Sequence, residues 1–160
     1  KELFFKDALQ GEQRCLPEQQ IGDFLLRRGD GLVAYQLAVV VDDAEQQITE
    51  VVRGTDLLEA TFMQLILLET LPHNKLKYMH FPVAIGPDGR KLSKQTGAPE
   101  INDAQANENL HNALFFLGQN PENGLKTAPL KDIWAWAREN WNPILLQGAQ
   151  KRSDESMMVQ

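Results

Sequence analysis

The chain has 160 residues, 22 of them acidic against 16 basic, for a net charge of −6. The length fits one ordinary domain able to bury a core, and the acidic balance argues against a generic nucleic-acid coat, which needs a basic surface. A single cysteine excludes a disulfide framework and a self-contained Cys-rich zinc site, and no apolar stretch approaches the ~20 residues that span a bilayer.

Leu3-Phe4-Phe5 opens a mixed segment whose polar part, around Gln10-Gly11-Glu12-Gln13, reads as a surface loop. Phe24-Leu25-Leu26 and Leu32 to Val41 are apolar runs separated by Arg27-Arg28-Gly29-Asp30-Gly31, and Asp-Gly between such runs is a hairpin signal. The run from Ala34 to Val41 is nearly continuous and β-branched toward its end, which predicts an inner strand buried on both faces and closed by Asp42-Asp43. Ile48 to Arg53 predicts a second strand, closed by Gly54. A helix then starts at Thr55 or Asp56, carries Leu58, Thr61, Phe62, Leu65 and Leu68 at helical spacing, and stops before Pro72. Tyr78 to Ile85 predicts a third strand running into the Gly86-Pro87-Asp88-Gly89 turn. Strand, helix, strand in that order implies a right-handed crossover onto a parallel sheet, so this part is α/β.

Beyond it, Leu110, Ala113, Leu114 and Leu117 form a helical stripe with Gly118 at the C-terminal cap position. Leu130, Ile133, Trp134, Ala137 and Trp141 form a second stripe with Pro129 in its first turn. From Gln147 the chain is polar and reads as frayed. The expected organisation is therefore residues 1–100 as an α/β unit and residues 101–160 as a small helical segment with a frayed tail.

The cluster Arg90-Lys91-Leu92-Ser93-Lys94-Gln95 follows the glycine turn. Lysines three apart beside a serine could hold a polyphosphate, since each ammonium is a compact charge on a flexible stem. The alternative is a solvated basic loop, and no P-loop string is present. Asp42 and Asp43, on a strand, would point to opposite faces and chelate one ion poorly. His80, alone on a strand, reads as a satisfied structural histidine, and Cys15 as a small apolar core residue. Arg53 sits at a strand end, where open α/β sheets place ligands; its guanidinium suits a carboxylate, with a surface ion pair as the alternative.

Lys91-Leu92-Ser93-Lys94-Gln95 resembles the KMSKS signature of class I aminoacyl-tRNA synthetases, in the form favoured by glutamate-type members. Asp30-Gly31 through Tyr35-Gln36-Leu37-Ala38-Val39-Val40-Val41-Asp42-Asp43 resembles the family's strand with the word D-G, Y-x-L-A and D-D. Val51-Val52-Arg53-Gly54-Thr55-Asp56-Leu57 and His80-Phe81-Pro82 match two further words in the same order. The resemblance implies the second half of a Rossmann-type catalytic domain followed by a small helical segment. Only residues 96–160 follow the signature, so the resemblance is to a short, queuosine-modifying branch of the glutamyl-tRNA synthetase family rather than to members with a large anticodon-binding region.

That resemblance implies activation of L-glutamate by ATP with Mg2+ and its transfer to queuosine in the anticodon of tRNA(Asp), in the cytoplasm and without a membrane partner. It implies ATP binding by Lys91, Leu92, Ser93, Lys94 and Gln95, with Lys94 and Lys91 acting on the phosphates, and L-glutamate binding by Tyr35 and Arg53, with Asp43 shaping the pocket. Nothing in residues 1–30 resembles the family's HIGH-type motif, and Cys15 matches none of its zinc cysteines. The chain, which opens at Lys1, therefore reads as a C-terminal half, inactive alone and prone to self-association, with zinc expected only in the missing half. The alternatives are half of an ordinary glutamyl-tRNA synthetase catalytic domain and a non-catalytic module derived from a synthetase.

Overall fold

The computed structural model describes residues 1–73, 75–93, 98 and 100–153. The chain divides into two compact units, Lys1–Phe81 and Pro82–Gln160.

The first unit is built on a four-stranded mixed sheet. Strands β1 (Leu3–Asp7) and β2 (Gly11–Cys15) form an antiparallel hairpin, registered from Leu3 opposite Cys15 to Asp7 opposite Gly11. Asp7 shapes its turn, because its Oδ1 accepts the backbone N–H groups of Leu9 and Gln10, each at 2.9 Å. This corrects the expectation of a polar loop at residues 10–13. β2 is an edge strand, so backbone pairing holds it and its outward positions stay polar. A one-turn helix, α1 (Pro17–Gln20), follows.

The predicted inner strand at residues 34–41 is instead a helix, α2 (Tyr35–Glu45). A short apolar run cannot by its periodicity distinguish a buried strand from a buried helix, and packing against a neighbouring helix overrides the β propensity of its valines. Gln36, Val40 and Asp43, spaced at helical intervals, make up the inward face, with Val40 buried. Before it, the Asp-Gly segment closes a tight turn in which Arg27 and Val33 form an isolated antiparallel bridge.

The strand–helix–strand expectation holds downstream. Strand β3 (Glu50–Gly54) leads through a 3-10 turn at Thr55–Leu57 into α3 (Ala60–Leu68), and the chain returns as β4 (Lys77–Phe81). β3 and β4 pair in parallel from Glu50 opposite Lys77 to Gly54 opposite Phe81, giving the sheet order β2-β1-β4-β3. α2 packs on α3. The core gathers Phe5, Cys15, Leu58, Phe62 and Tyr78, with Phe5 meeting the rings of Phe62 and Tyr78 edge-on at 5.1 and 5.3 Å between centroids. Cys15 is thus a core residue, and burial pushes its thiol above the usual range, with the charge of Glu59 adding to the shift.

The predicted strand from Tyr78 to Ile85 is broken in two. Pro82 has no N–H to donate to a ladder, and β5 (Val83–Ile85) belongs to a separate two-stranded sheet in the second unit. Its parallel partner is β6 (Lys151–Ser153), which corrects the expectation of fraying for residues 147–153; the rest of that expected tail lies outside the described residues. This pairing ties residues 83–85 to 151–153, so the expected boundary after residue 100 falls inside the second unit. Helices α4 (Ala106–Phe116) and α5 (Leu130–Asn140) fall on the predicted stripes and bury Leu114, Ile133 and Ala137 between them, but Leu130, Trp134 and Trp141 of the second stripe are exposed and Trp136 packs against the cluster instead.

Gly118 terminates α4 at φ +73°, and a Cβ there would fall 2.6 Å from Nη1 of Arg152. That guanidinium donates to the carbonyls of Phe116 at 3.0 Å and Leu145 at 2.7 Å, which joins β6 to the end of α4. Among the described residues no helix is long and apolar enough to cross a membrane.

Candidate functional site

The site in the first unit starts from the register of β3 and β4, which sets Arg53 directly opposite His80 near the C-terminal ends of two parallel strands. Ligands in open α/β sheets bind beyond such strand ends. Arg53 is half-buried. Its Nε donates to Nε2 of His80 at 3.0 Å, and its Nη2 donates to Thr61 Oγ1 at 2.8 Å and to Gln64 Oε1 at 2.7 Å. Thr61 and Gln64 lie one turn apart on α3 and are both buried. Gln64 in turn donates through Nε2 to Oε1 of Gln36 on α2, at 2.8 Å.

On the other side His80 is sealed from solvent, with 0% exposure, and its Nδ1 lies 2.7 Å from Oδ2 of Asp7. The same carboxylate accepts the backbone N–H of His80 at 3.1 Å. Burial pushes the Asp7 carboxyl up, but the hydrogen bonds from the His80 ring and from the Gln10, Leu9 and His80 amides outweigh it and hold the group below its ordinary value. The chain of contacts thus runs from a buried carboxylate through an imidazole to a guanidinium.

A guanidinium has five N–H donors. Nε uses its one and Nη2 uses both of its own, which leaves the two on Nη1 without a partner among the described residues. Nor does any described carboxylate form an ion pair with Arg53, so the surface ion pair weighed as its alternative role is absent. The Nε/Nη2 edge of the guanidinium is already occupied. The guanidinium offers Nη1.

Near Arg53 lie two further groups. Asp43, on the inward face of α2, has its carboxyl raised by burial and by the neighbouring Asp42 charge, against the lowering effect of Arg53. Since α2 is a helix, Asp42 and Asp43 diverge by about 100° around its axis rather than facing opposite sides of a sheet, and Asp42 is exposed. Tyr78 lies with its ring 6.0 Å from the Arg53 guanidinium carbon, and its buried hydroxyl has no hydrogen-bond partner. Burial pushes that phenol up to about 12.

The predicted site residues are distributed as follows. Arg53, Asp43 and Tyr35 all belong to the first unit, and Arg53 and Asp43 interact electrostatically. Tyr35 begins α2, is 52% exposed, and adjoins Gln36 of the network rather than sitting inside an apolar strand. Lys91, Leu92 and Ser93 belong to the second unit. There Gly86 and Gly89 close a turn through a 2.9 Å backbone bond, Lys91 bridges Ile85, and the Leu92 N–H donates to the Ala84 carbonyl at 2.9 Å. Lys91 is exposed, and Leu92 and Ser93 are half-buried. Lys94 and Gln95 lie outside the described residues.

Asp7, Gln36, Thr61 and Gln64 were not singled out as functional from sequence. Gln64 did carry a signal, being the one amide in the apolar run Ala60-Thr61-Phe62-Met63-Gln64-Leu65-Ile66-Leu67-Leu68, where burial demands a partner. Among the described residues no group of three or more His, Cys, Asp or Glu side chains is placed to hold a metal ion.

Residues 1–126 match the family model described as tRNA synthetases class I (E and Q), catalytic domain. The chain is 51% identical over 140 residues to Glutamyl-Q tRNA(Asp) synthetase of Dechloromonas aromatica, a match covering 88% of this chain and 46% of that protein. It is 46% identical to the protein of the same name from Pseudomonas fluorescens, covering 91% of this chain and 49% of the relative. The chain thus spans about half the length of the curated relatives it matches. Among solved structures, a glutamate tRNA ligase from Elizabethkingia meningosepticum, in complex with its amino acid, superimposes with a TM-score of 0.66 at 21% identity, over 95% of this chain and 34% of that one. That likeness supports the fold alone.

Proposed function

This chain belongs to the class I tRNA synthetase (E and Q) catalytic-domain family, and on that premise we propose that the protein of which it is part is a glutamate ligase acting on tRNA(Asp). It activates L-glutamate with ATP and transfers the glutamyl group to queuosine in the anticodon. The observation that carries the reading is Arg53: a half-buried guanidinium, fixed by the side chains of His80, Thr61 and Gln64, whose Nη1 has no hydrogen-bond partner and which forms no ion pair among the described residues. A positive charge held in this way is preorganised for a carboxylate brought by a ligand.

In the first step a glutamate α-carboxylate oxygen bonds to the α-phosphorus of ATP while the bond to the β-phosphate oxygen breaks and pyrophosphate leaves. In the second, a queuosine hydroxyl bonds to the glutamyl carbonyl carbon, loses its proton, and AMP departs. Neither step needs a covalent enzyme intermediate, so the protein's part is alignment and neutralisation of charge. Arg53 binds the side-chain carboxylate through Nη1, the Tyr35 hydroxyl contacts the same amino acid, and Asp43 shapes the pocket. Lys91, Leu92, Ser93, Lys94 and Gln95 bind ATP, with Lys94 and Lys91 on the phosphates.

Magnesium accompanies ATP as its counterion. Among the described residues no cluster of His, Cys, Asp or Glu side chains fits a metal ion. A cytoplasmic setting follows from the tRNA substrate.

The test is transfer of radiolabelled glutamate by the full-length protein to tRNA(Asp) with and without queuosine, beside tRNA(Glu). Label on queuosine-containing tRNA(Asp) alone is the expected result. Charging of tRNA(Glu) instead would make this an ordinary glutamyl-tRNA synthetase, and no transfer to either would leave a non-catalytic module.

A further inference from the structure

We infer that His80 is a positioning residue: fixed by Asp7 with its proton on Nδ1, it presents Nε2 as the acceptor that aims the Arg53 guanidinium. The inference rests on the reading of Arg53 as the ligand of the glutamate side chain. It goes beyond that reading by assigning the orientation of Arg53, and hence affinity for glutamate, to a buried pair that never touches the substrate.

The argument is one of donors and acceptors. Arg53 Nε carries a hydrogen and has no lone pair to offer. Across 3.0 Å, His80 Nε2 can therefore only accept, and the ring must be neutral with its proton on Nδ1. Nδ1 faces a carboxylate oxygen at 2.7 Å, an acceptor suited to that proton. Asp7 thus chooses the tautomer, and the tautomer makes the bond to Arg53 attractive. With the proton on Nε2 instead, two N–H groups would confront each other and the guanidinium would be pushed from its place.

Three features keep the ring from escaping this constraint. It is fully buried, so no solvent competes for either nitrogen. It stacks on Tyr78, with centroids 6.2 Å apart and planes at 17°, and lies 6.3 Å from the ring of Phe5. Its backbone is locked opposite Arg53 by the β3–β4 register, and its own N–H is held by the Asp7 carboxylate. Asp7 is in turn fixed by the hairpin amides of Leu9 and Gln10. Without the Nε2 acceptor, Arg53 keeps its Nη2 bonds to Thr61 and Gln64 and the Tyr78 ring at 6.0 Å, but loses the bond that fixes its Nε edge.

Two substitutions separate the two ends of the imidazole. Asparagine at position 80 reaches the place of Nδ1 and can still donate to Asp7, but it supplies no acceptor at Nε2. Glutamine reaches the place of Nε2 with its carbonyl and loses the bond to Asp7. Steady-state kinetics of the full-length protein carrying His80→Asn, His80→Gln or Arg53→Ala, with glutamate and ATP varied in turn, test the assignment.

The expected result is a rise of about tenfold in KM for glutamate in His80→Asn, the scale of one hydrogen bond to a charged group. His80→Gln is expected to stay within about threefold of wild type, and KM for ATP to stay within about twofold in both. Equal rises in the two variants, or a larger one in His80→Gln, would overturn the positioning role, because loss of packing alone would not distinguish them. If Arg53→Ala leaves KM for glutamate unchanged, the reading of Arg53 itself fails. If it raises KM while the two His80 variants coincide, only the positioning role fails.

Should neither His80 variant fold, the long-range proton–nitrogen spectrum of the wild-type histidines decides the matter. A His80 ring protonated on Nδ1 and bare on Nε2 is expected, and the opposite tautomer would overturn the inference.

Discussion

Arg53 and Lys91 are both cations proposed for ligand binding, yet one is half-buried and the other exposed. Arg53 is fixed through its side chain, by His80, Thr61 and Gln64, all of them buried. Around Lys91 the backbone is ordered by the bridge to Ile85, the Leu92 amide on Ala84, and the turn from Gly86 to Gly89. Lys91 is exposed, whereas Arg53 is half-buried. A cation locked before the ligand arrives contributes to ground-state recognition, whereas one on an exposed stem can follow charge as it builds in the transition state. The first unit should therefore govern affinity for glutamate and the second the rate of activation.

The largest effect expected is at Lys94, which the family resemblance places on the ATP phosphates. Lys94→Ala in the full-length protein should lower kcat by roughly 100- to 1,000-fold, the scale for a lost electrostatic stabiliser of the transition state, with KM for glutamate little changed. A loss expressed in KM for glutamate would break the division between the units. Steady-state kinetics with glutamate varied read both quantities.

Asp7 comes next. Its carboxyl is held below the ordinary 3.8 in the folded protein, so its contribution to stability is fully present above that pH and is lost as pH falls through the lower folded value. Asp7→Asn should cost about 1–3 kcal/mol near neutrality, the scale of a buried group left mispaired. It should also show a shallower decline of the melting temperature between pH 5 and pH 3 than wild type does. Parallel acid profiles would mean that the carboxylate does not carry the network.

Gly89→Ala should act only in the second unit. The residue sits at φ +74° with open space where a Cβ would go, so the cost is backbone strain alone, about 1 kcal/mol. KM for ATP should rise while KM for glutamate stays put. Tyr78→Phe is the smallest change: removing an unpartnered buried hydroxyl should be neutral or stabilising by less than ~1 kcal/mol. Because the phenol is raised from 10.0 to about 12, it imposes no ionisation cost below pH 10, and wild type loses stability relative to Tyr78→Phe as pH climbs toward that value. Ultraviolet titration should show the late tyrosinate step in wild type and not in Tyr78→Phe.

Much of this was legible in sequence where a local signal coincided with the final structure. The β3–α3–β4 unit carried strand, helix and turn punctuation in order, and the second unit's helices were legible as helices, although Trp134 and Trp141 of the α5 stripe face solvent. α2 was not legible, because Tyr35 to Val41 is apolar enough to satisfy either period and only its packing on α3 decides. The hairpin β1–β2 was missed because an edge strand need not be apolar, and β6 because three polar residues pair with a strand far away in sequence.

The site shows the same limit. Arg53 was visible as a cation at a strand end, and His80 as a histidine that would find partners. Asp7 was not, since it meets His80 across 73 residues of sequence and signals locally only a turn.

The most direct test of the account is KM for glutamate in the full-length protein carrying Arg53→Ala. A rise of about 10- to 100-fold, the range for a charged hydrogen bond lost from a buried site, with KM for ATP within about twofold, is the predicted result. An unchanged KM for glutamate would contradict it.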